Sequence, residues 1–135
     1  MQKDGLFYIA QKAFIKKGNE VLVLVDPEEG LDYPGGKIQE GEIDSVQSLQ
    51  REVMEETGLE ISVGEPFVTW LNVFPENHHL AGKQVFLVGY KCEYISGEVT
   101  LSHEHNGFSW VTKDNFVNVD DGSSFFEILK KYYLD

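Results

Sequence analysis

Residues 35–59 read GGKIQEGEIDSVQSLQREVMEETGL, and the rest of the chain is read outward from this stretch. Asp44 is placed to cap a helix, with Gln47 three residues later where a capping box needs it. Apolar side chains recur at Val46, Leu49 and Val53, the spacing of one helix face. Gly58 supplies the stop, because a left-handed residue after the last turn costs glycine little. The pattern predicts a helix over Ser45–Thr57, preceded by a turn at Pro34, Gly35 and Gly36.

Three glutamates fall in that helix. Glu52 and Glu56 are i, i+4, and Glu52 and Glu55 are i, i+3, so the carboxylates are expected to project from one side, away from Val46, Leu49 and Val53. Like charges so close repel in an isolated helix. A hard divalent cation resolves that conflict, and oxygen ligands suit Mg²⁺, with Mn²⁺ as the alternative. Arg51 is i, i+4 to Glu55 and can neutralise and orient one carboxylate. A solvated acidic face is the bland alternative, and such charge runs are commonly that. Against it stand Gly35 and Gly36, which let backbone approach a ligand closely, and Lys37, a point charge suited to phosphate.

These residues resemble the Nudix box: a glycine, a glutamate six residues on, then Arg-Glu-apolar-x-Glu-Glu-x-Gly-apolar. The matching positions are Gly36, Glu42, Arg51, Glu52, Val53, Glu55, Glu56, Gly58 and Leu59. Eight residues separate Glu42 from Arg51 where the family pattern has seven. The extra residue is placed in the loop at Glu42 and Ile43, before the cap, which keeps the helical ligands in register and leaves the role of Glu42 open. The resemblance implies an α/β/α sandwich around a mixed sheet and a catalytic set of Arg51, Glu52, Glu55, Glu56 and Glu104. It implies metal ligation by Glu52 and Glu56, then Glu55, with the Gly36 carbonyl added, and a carboxylate-orienting role for Arg51.

The chain has 135 residues, 41% hydrophobic and 13% aromatic, which suits a single domain over residues 1–135 with its own core. Its net charge of −12 disfavours a nucleic-acid polymer as partner, though not a small anion brought in on a metal ion. No apolar run approaches the ~20 residues of a membrane span, the N-terminus lacks a signal-peptide layout, and Cys92 is the only cysteine. A cytoplasmic address is therefore expected, with Cys92 a plain buried or half-buried thiol. A homodimer remains open.

Along the chain, residues 7–16 and 21–25 read as a hairpin, the second run without alternation, as for a strand covered on both faces. Residues 26–32 read as a loop. Strands are expected over residues 60–74, 84–94, 98–101 and 108–111, a short helix from about residue 113, and a closing amphipathic helix over residues 123–134 with Asp120, Ser123 or Ser124 as cap. Mixed strands with interspersed helices and no repeated βαβ unit give an α+β or α/β sandwich.

Further site candidates are fewer. Residues 101–111 (LSHEHNGFSWV) are similar to the LSHEH-x-x-aromatic-x-W pattern of Nudix diadenosine tetraphosphate hydrolases and of many other short bacterial Nudix proteins. They make Glu104 the candidate general base or extra metal ligand, with His103 and His105 as phosphate or carboxylate partners near neutral pH. Tyr33 is a substrate candidate that stacks on a base or packs against its loop, the latter favoured. Trp70, Phe74 and Phe86 are the other aromatic candidates for a base cleft. His78 and His79 invite a metal reading, but a solvated loop is favoured because no third ligand lies nearby. The activity implied is hydrolysis of a nucleoside diphosphate linked to a further group. A MutT-type nucleoside triphosphatase comes first, then a dinucleoside polyphosphate hydrolase, then an ADP-ribose hydrolase. The non-enzyme alternative is a Nudix-fold nucleotide-binding module.

Overall fold

The hairpin forms at the expected place. Strand β1 (Tyr8–Lys17) and strand β2 (Glu20–Asp26) pair antiparallel through Lys16–Val21 and Lys17–Glu20, with Gly18 at φ 63° making the turn. This is a computed structural model that describes residues 2–134; Met1 and Asp135, the two ends of the expected domain, lie outside the described residues. In chain order there follow β3 (Gly30–Asp32), β4 (Gly35–Lys37), α1 (Ser45–Thr57), β5 (Glu60–Val73), β6 (Gln84–Ser96), β7 (Gly107–Val111), a 3₁₀ turn (Phe116–Val119) and α2 (Ser124–Leu134).

β1 is the centre of a mixed sheet. One of its edges pairs in parallel with β6, whose other edge carries the antiparallel β5. The opposite edge is divided: the C-terminal end pairs with β2, and the N-terminal end pairs with β4 through Ala10–Lys37, Gln11–Gly36 and Lys12–Gly35. β2 continues the sheet to β3 and β7. The divided edge brings the chain from β3 into β4 directly against β1, where the Ala13 N–H donates to the Pro34 carbonyl at 2.7 Å.

A helix covers each face. Ala13, Ile15, Leu22 and Leu24 pack with Leu49 and Val53 of α1. Phe14, Val21 and Val23 pack with Phe126, Ile128 and Leu129 of α2. Alternation along β1 and β2 sends neighbouring side chains to opposite helices, which is why the run at 21–24 is apolar throughout. Full burial of each Leu or Val contributes roughly 1.5–3 kcal/mol. The architecture is the expected α/β/α sandwich.

Helix α1 has the expected bounds. Asp44 Oδ1 accepts the Val46 and Gln47 N–H groups at 3.0 and 3.1 Å, and Gly58 closes it at φ 74°. At α2 the cap is Ser123, whose Oγ accepts the Phe126 N–H at 3.3 Å. Several expectations are corrected. Residues 98–101 are not a strand: Thr100 and Ser102 donate instead to the Thr57 and Glu56 carbonyls at 2.9 and 3.1 Å, filling acceptors left open at the end of α1. The 26–32 loop ends in β3, and the expected turn at Gly35 and Gly36 is strand β4. Val46 is 40% exposed, because α1 docks through its later turns, at Ser48, Leu49, Val53, Glu56 and Thr57.

Candidate active site

The carboxylates of α1 do not share one solvated side. The Glu52 side chain is 15% exposed and that of Glu55 58% exposed, while Glu56 is only 6% exposed. Glu52 and Glu56 face the backbone of β4. A side chain at Gly36 would begin 2.7 Å from Glu52 Oε2, so glycine there is what lets backbone and carboxylate meet. Gly35, at φ 141°, donates its N–H to Glu56 Oε1 at 3.2 Å. Burial pushes the Glu56 carboxyl up to about 7, against the opposing pull of the Lys12 ammonium and the Gly35 N–H.

Arg51 organises the exposed side. Its Nη1 donates to both oxygens of Glu55 at 3.0 Å. Nη2 reaches Glu52 Oε1 at 3.0 Å and Glu42 Oε1 at 3.1 Å, and Nε reaches Glu42 Oε2 at 3.2 Å. Glu42 also accepts the Gln39 N–H at 2.7 Å and the Ser48 hydroxyl at 3.0 Å. Its hydrogen bonds from Arg51 hold its carboxyl below the ordinary value, and the same bonds raise the arginine. Glu42 thus keeps a defined place despite the extra residue. That residue's neighbourhood bulges outward, with Ile43 fully exposed at 100%.

Of the third group, Lys12, Asp32 and His105, the sequence reading names only His105 as a candidate. Lys12 Nζ lies 3.0 Å from Asp32 Oδ1 and 3.3 Å from the Tyr33 carbonyl. His105 Nε2 lies 2.8 Å from Asp32 Oδ2. Burial opposes each charge, and pairing overrides it: Lys12 and His105 are raised, chiefly by Asp32, and Asp32 is lowered by both. A charged residue between Ala10 and Phe14 was the available signal; its partners, 20 and 93 residues away along the chain, were not legible.

The inner groups open onto a cleft of about 810 Å³ lined by Lys12, Gly35, Gly36, Lys37, Glu52, Glu56, Glu104 and His105, among others. Elsewhere on its wall Phe74, His78 and His79 form a column of rings, each pair 4.4 Å apart at 21° and 24°, and Lys37 Nζ stands 5.7 Å from the Phe74 centroid. The two histidines thus belong to the cleft wall, not merely to a solvated loop. Tyr33 is not brought to the cleft: it is fully buried, stacked with Phe125, and its hydroxyl donates to the Phe125 carbonyl. His103 is exposed and lies off the cleft, as do Arg51 and Glu55. Trp70 packs edge-on against Phe125, and Phe86 points away from the side where Val85 and Leu87 line the wall. Cys92 is buried, and burial pushes its thiol up to about 12.

Two donor sets for a cation compete. Asp26, Asp32 and His105 bring ligand atoms within 4.8 Å of one another. Asp32, however, is already committed through both oxygens, one of them to an ammonium. Glu52 and Glu56, beside the Gly35–Gly36 backbone, are hard oxygen donors of the kind Mg²⁺ prefers.

A family model described as the NUDIX domain matches residues 10–131. The chain belongs to the Nudix family. As a Nudix hydrolase it acts on phosphoric anhydride bonds, and divalent cations are the cofactors of this family. Among solved structures, a MutT protein from Methanosarcina mazei Go1 is similar at 26% identity and TM-score 0.76, over 99% of this chain and 100% of that one. A C. elegans Ap4A hydrolase shares the fold at 22% identity and TM-score 0.70, covering 93% and 94% of the two chains. An ADP-ribose pyrophosphatase from Streptococcus suis shares it at 18% and 0.60, covering 80% and 75%. No protein with a curated description matches the sequence. Among the described residues no helix is long and apolar enough to cross a membrane.

Proposed function

We propose that this Nudix hydrolase is a Mg²⁺-dependent, single-domain cytoplasmic pyrophosphohydrolase of small nucleotides, first of all a MutT-type nucleoside triphosphatase that releases monophosphate and pyrophosphate. Mn²⁺ is the alternative ion. The supporting observation is the convergence of Glu52 and Glu56 on the Gly35–Gly36 backbone inside the cleft. Glu52, Glu56 and the Gly36 carbonyl hold the cation, and Glu55, set aside by Arg51 in this structure, is the reserve ligand. Bound there, the ion supplies Lewis-acid screening of the phosphoryl oxygens.

The chain's own groups do the rest. A diphosphate repels an incoming nucleophile, so catalysis comes chiefly from positioning and charge stabilisation. Glu104, on the cleft wall, takes the proton of the attacking water as the P–O bond breaks. Lys37 holds a phosphate oxygen, and Arg51 fixes Glu52 through the 3.0 Å bond. His105 acts through Asp32, and His103 is left without a role at the cleft. The ring column at Phe74 gives a base a flat surface. The net charge of −12 keeps nucleic-acid polymers out of the partner list.

The second reading, a dinucleoside polyphosphate hydrolase, is favoured by Glu104 and His105 of the 101–111 run standing on the cleft. ADP-ribose is third. One screen decides: nucleoside triphosphates, diadenosine polyphosphates and ADP-ribose, each with Mg²⁺ and with chelator, products identified. Turnover of one class that chelator abolishes supports the proposal. Binding without hydrolysis across the panel makes the chain a Nudix-fold binding module instead.

A further inference from the structure

Lys12 stands in β1 between Ala10 and Phe14, its side chain 12% exposed, on the wall of the cleft. Burying an ion pair is costly, and apolar residues of the same volume often do as well for stability. Here the pair is elaborated further. Two of the ammonium's three N–H donors have partners, Asp32 Oδ1 at 3.0 Å and the Tyr33 carbonyl at 3.3 Å. Asp32 is in turn fixed from its other oxygen by His105 at 2.8 Å. The lysine has therefore lost its rotamer freedom before any ligand arrives, with one donor left over.

That donor is not spent on the catalytic carboxylates. Glu52 and Glu56 act on Lys12 through space, yet among the described residues no ion pair within 4.0 Å joins it to either. A fixed ammonium beside, but not on, the carboxylates suits an oxygen of the molecule that fills the cleft.

We propose that Lys12 is a substrate phosphate-binding residue, taking a phosphoryl oxygen of the diphosphate through its remaining N–H, with Asp32 and His105 as the residues that position it. This rests on the hydrolase reading of the same cleft. The competing role is that of a counter-charge for Glu56, and the two roles predict opposite effects on the metal.

The probe is inorganic pyrophosphate with saturating Mg²⁺, followed by calorimetry, beside Mn²⁺ alone followed by electron paramagnetic resonance. The proteins are the wild type, K12R, K12M and K12M/D32N, the double variant removing both charges together. Losing one hydrogen bond to a charged group predicts at least about tenfold weaker pyrophosphate binding in K12M/D32N. K12R recovers most of it, and Mn²⁺ alone, measured well above pH 7 where the Glu56 carboxyl is ionised, binds K12M as tightly as wild type or more so, since a repelling charge has gone. Pyrophosphate affinity unchanged in the folded double variant overturns the proposal. So does a weakened Mn²⁺ affinity in K12M that accounts for the loss. Should both methionine variants fail to fold, the wild type decides: the Lys12 Nζ resonance shifts on adding Mg²⁺ and pyrophosphate, or, if it stays while the Gly35 and Gly36 amides shift, Lys12 is not a phosphate ligand. The two readings fail separately. Wild type that binds pyrophosphate through Lys12 but hydrolyses no nucleotide loses the hydrolase reading alone; an active enzyme indifferent to K12M/D32N loses this inference alone.

Discussion

Two charged clusters share helix α1 and differ in solvation. On the outer side, Arg51 spreads across Glu42, Glu52 and Glu55, with its own side chain 38% exposed. On the inner side, Glu56 lies buried next to Lys12, Asp32 and His105. The residue types are similar, but solvent screens the outer pairs and leaves the inner ones strong. The outer cluster therefore sets where carboxylates point, and the inner one sets what their protons and charges do. Glu52 belongs to both, held by Arg51 on one oxygen while its carboxylate abuts Gly36.

Substitutions on the inner side have the largest expected effect. Glu56→Gln and Glu52→Gln each lower kcat by about 10³-fold or more with far-UV circular dichroism unchanged; steady-state rates near wild type in either would break the contrast. Glu104→Gln lowers kcat by about 10²-fold, within the range of a general base, and a negligible change moves that role elsewhere. Arg51→Ala, which acts only by letting Glu52 drift, costs about 10–100-fold. Glu55→Gln costs about tenfold, a ligand-shell effect at the mild end of that range; a loss equal to that of Glu56→Gln would mean that Arg51 releases Glu55 to the metal.

The contrast also predicts a pH dependence. Glu56 in the folded state titrates at about 7 against an ordinary 4.5, so the folded, metal-free protein binds an extra proton between those values. Its contribution to stability is full below 4.5 and is lost as pH rises through about 7. His105, raised above its ordinary value by Asp32, has the same sign: its contribution is full below 6.5 and fades above. Thermal melts in chelator should thus decline from pH 5 to 8, and Mg²⁺ should stabilise more at pH 8 than at pH 6, because the ion competes with the Glu56 proton. Equal Mg²⁺ stabilisation at both would contradict this. The smallest effects belong to packing away from the site. Val46→Ala, on an exposed position, should change stability by under about 0.5 kcal/mol, whereas Leu49→Ala should cost about 2–5 kcal/mol, both measured by urea denaturation.

Local signals carried the helix. Asp44, Gly58 and the Glu52–Glu56 spacing sit within one element, and the bounds of α1 followed from them. The hairpin was equally readable, from its turn and its unbroken apolar run, while the α/β/α layering was what the resemblance implied. Solvation was not readable: of the two glutamates one turn on from Glu52, Glu56 at i+4 is buried and Glu55 at i+3 is exposed, and only the approach of β4 distinguishes them. Tyr33 sits in the core because it neighbours a turn that became a strand. Residues 98–101 have strand-like composition, yet the open carbonyls of α1 claimed the N–H groups of Thr100 and Ser102. Lys12, Asp32 and His105 meet only because β1, β3 and the segment before β7 converge, a matter of topology and not of spacing.

The most direct test of the central claim is an anomalous-difference map from crystals soaked in Mn²⁺. The account predicts a peak bounded by Glu52, Glu56 and the Gly36 carbonyl. A peak held by Asp26, Asp32 and His105, with the helix carboxylates bare, would contradict it.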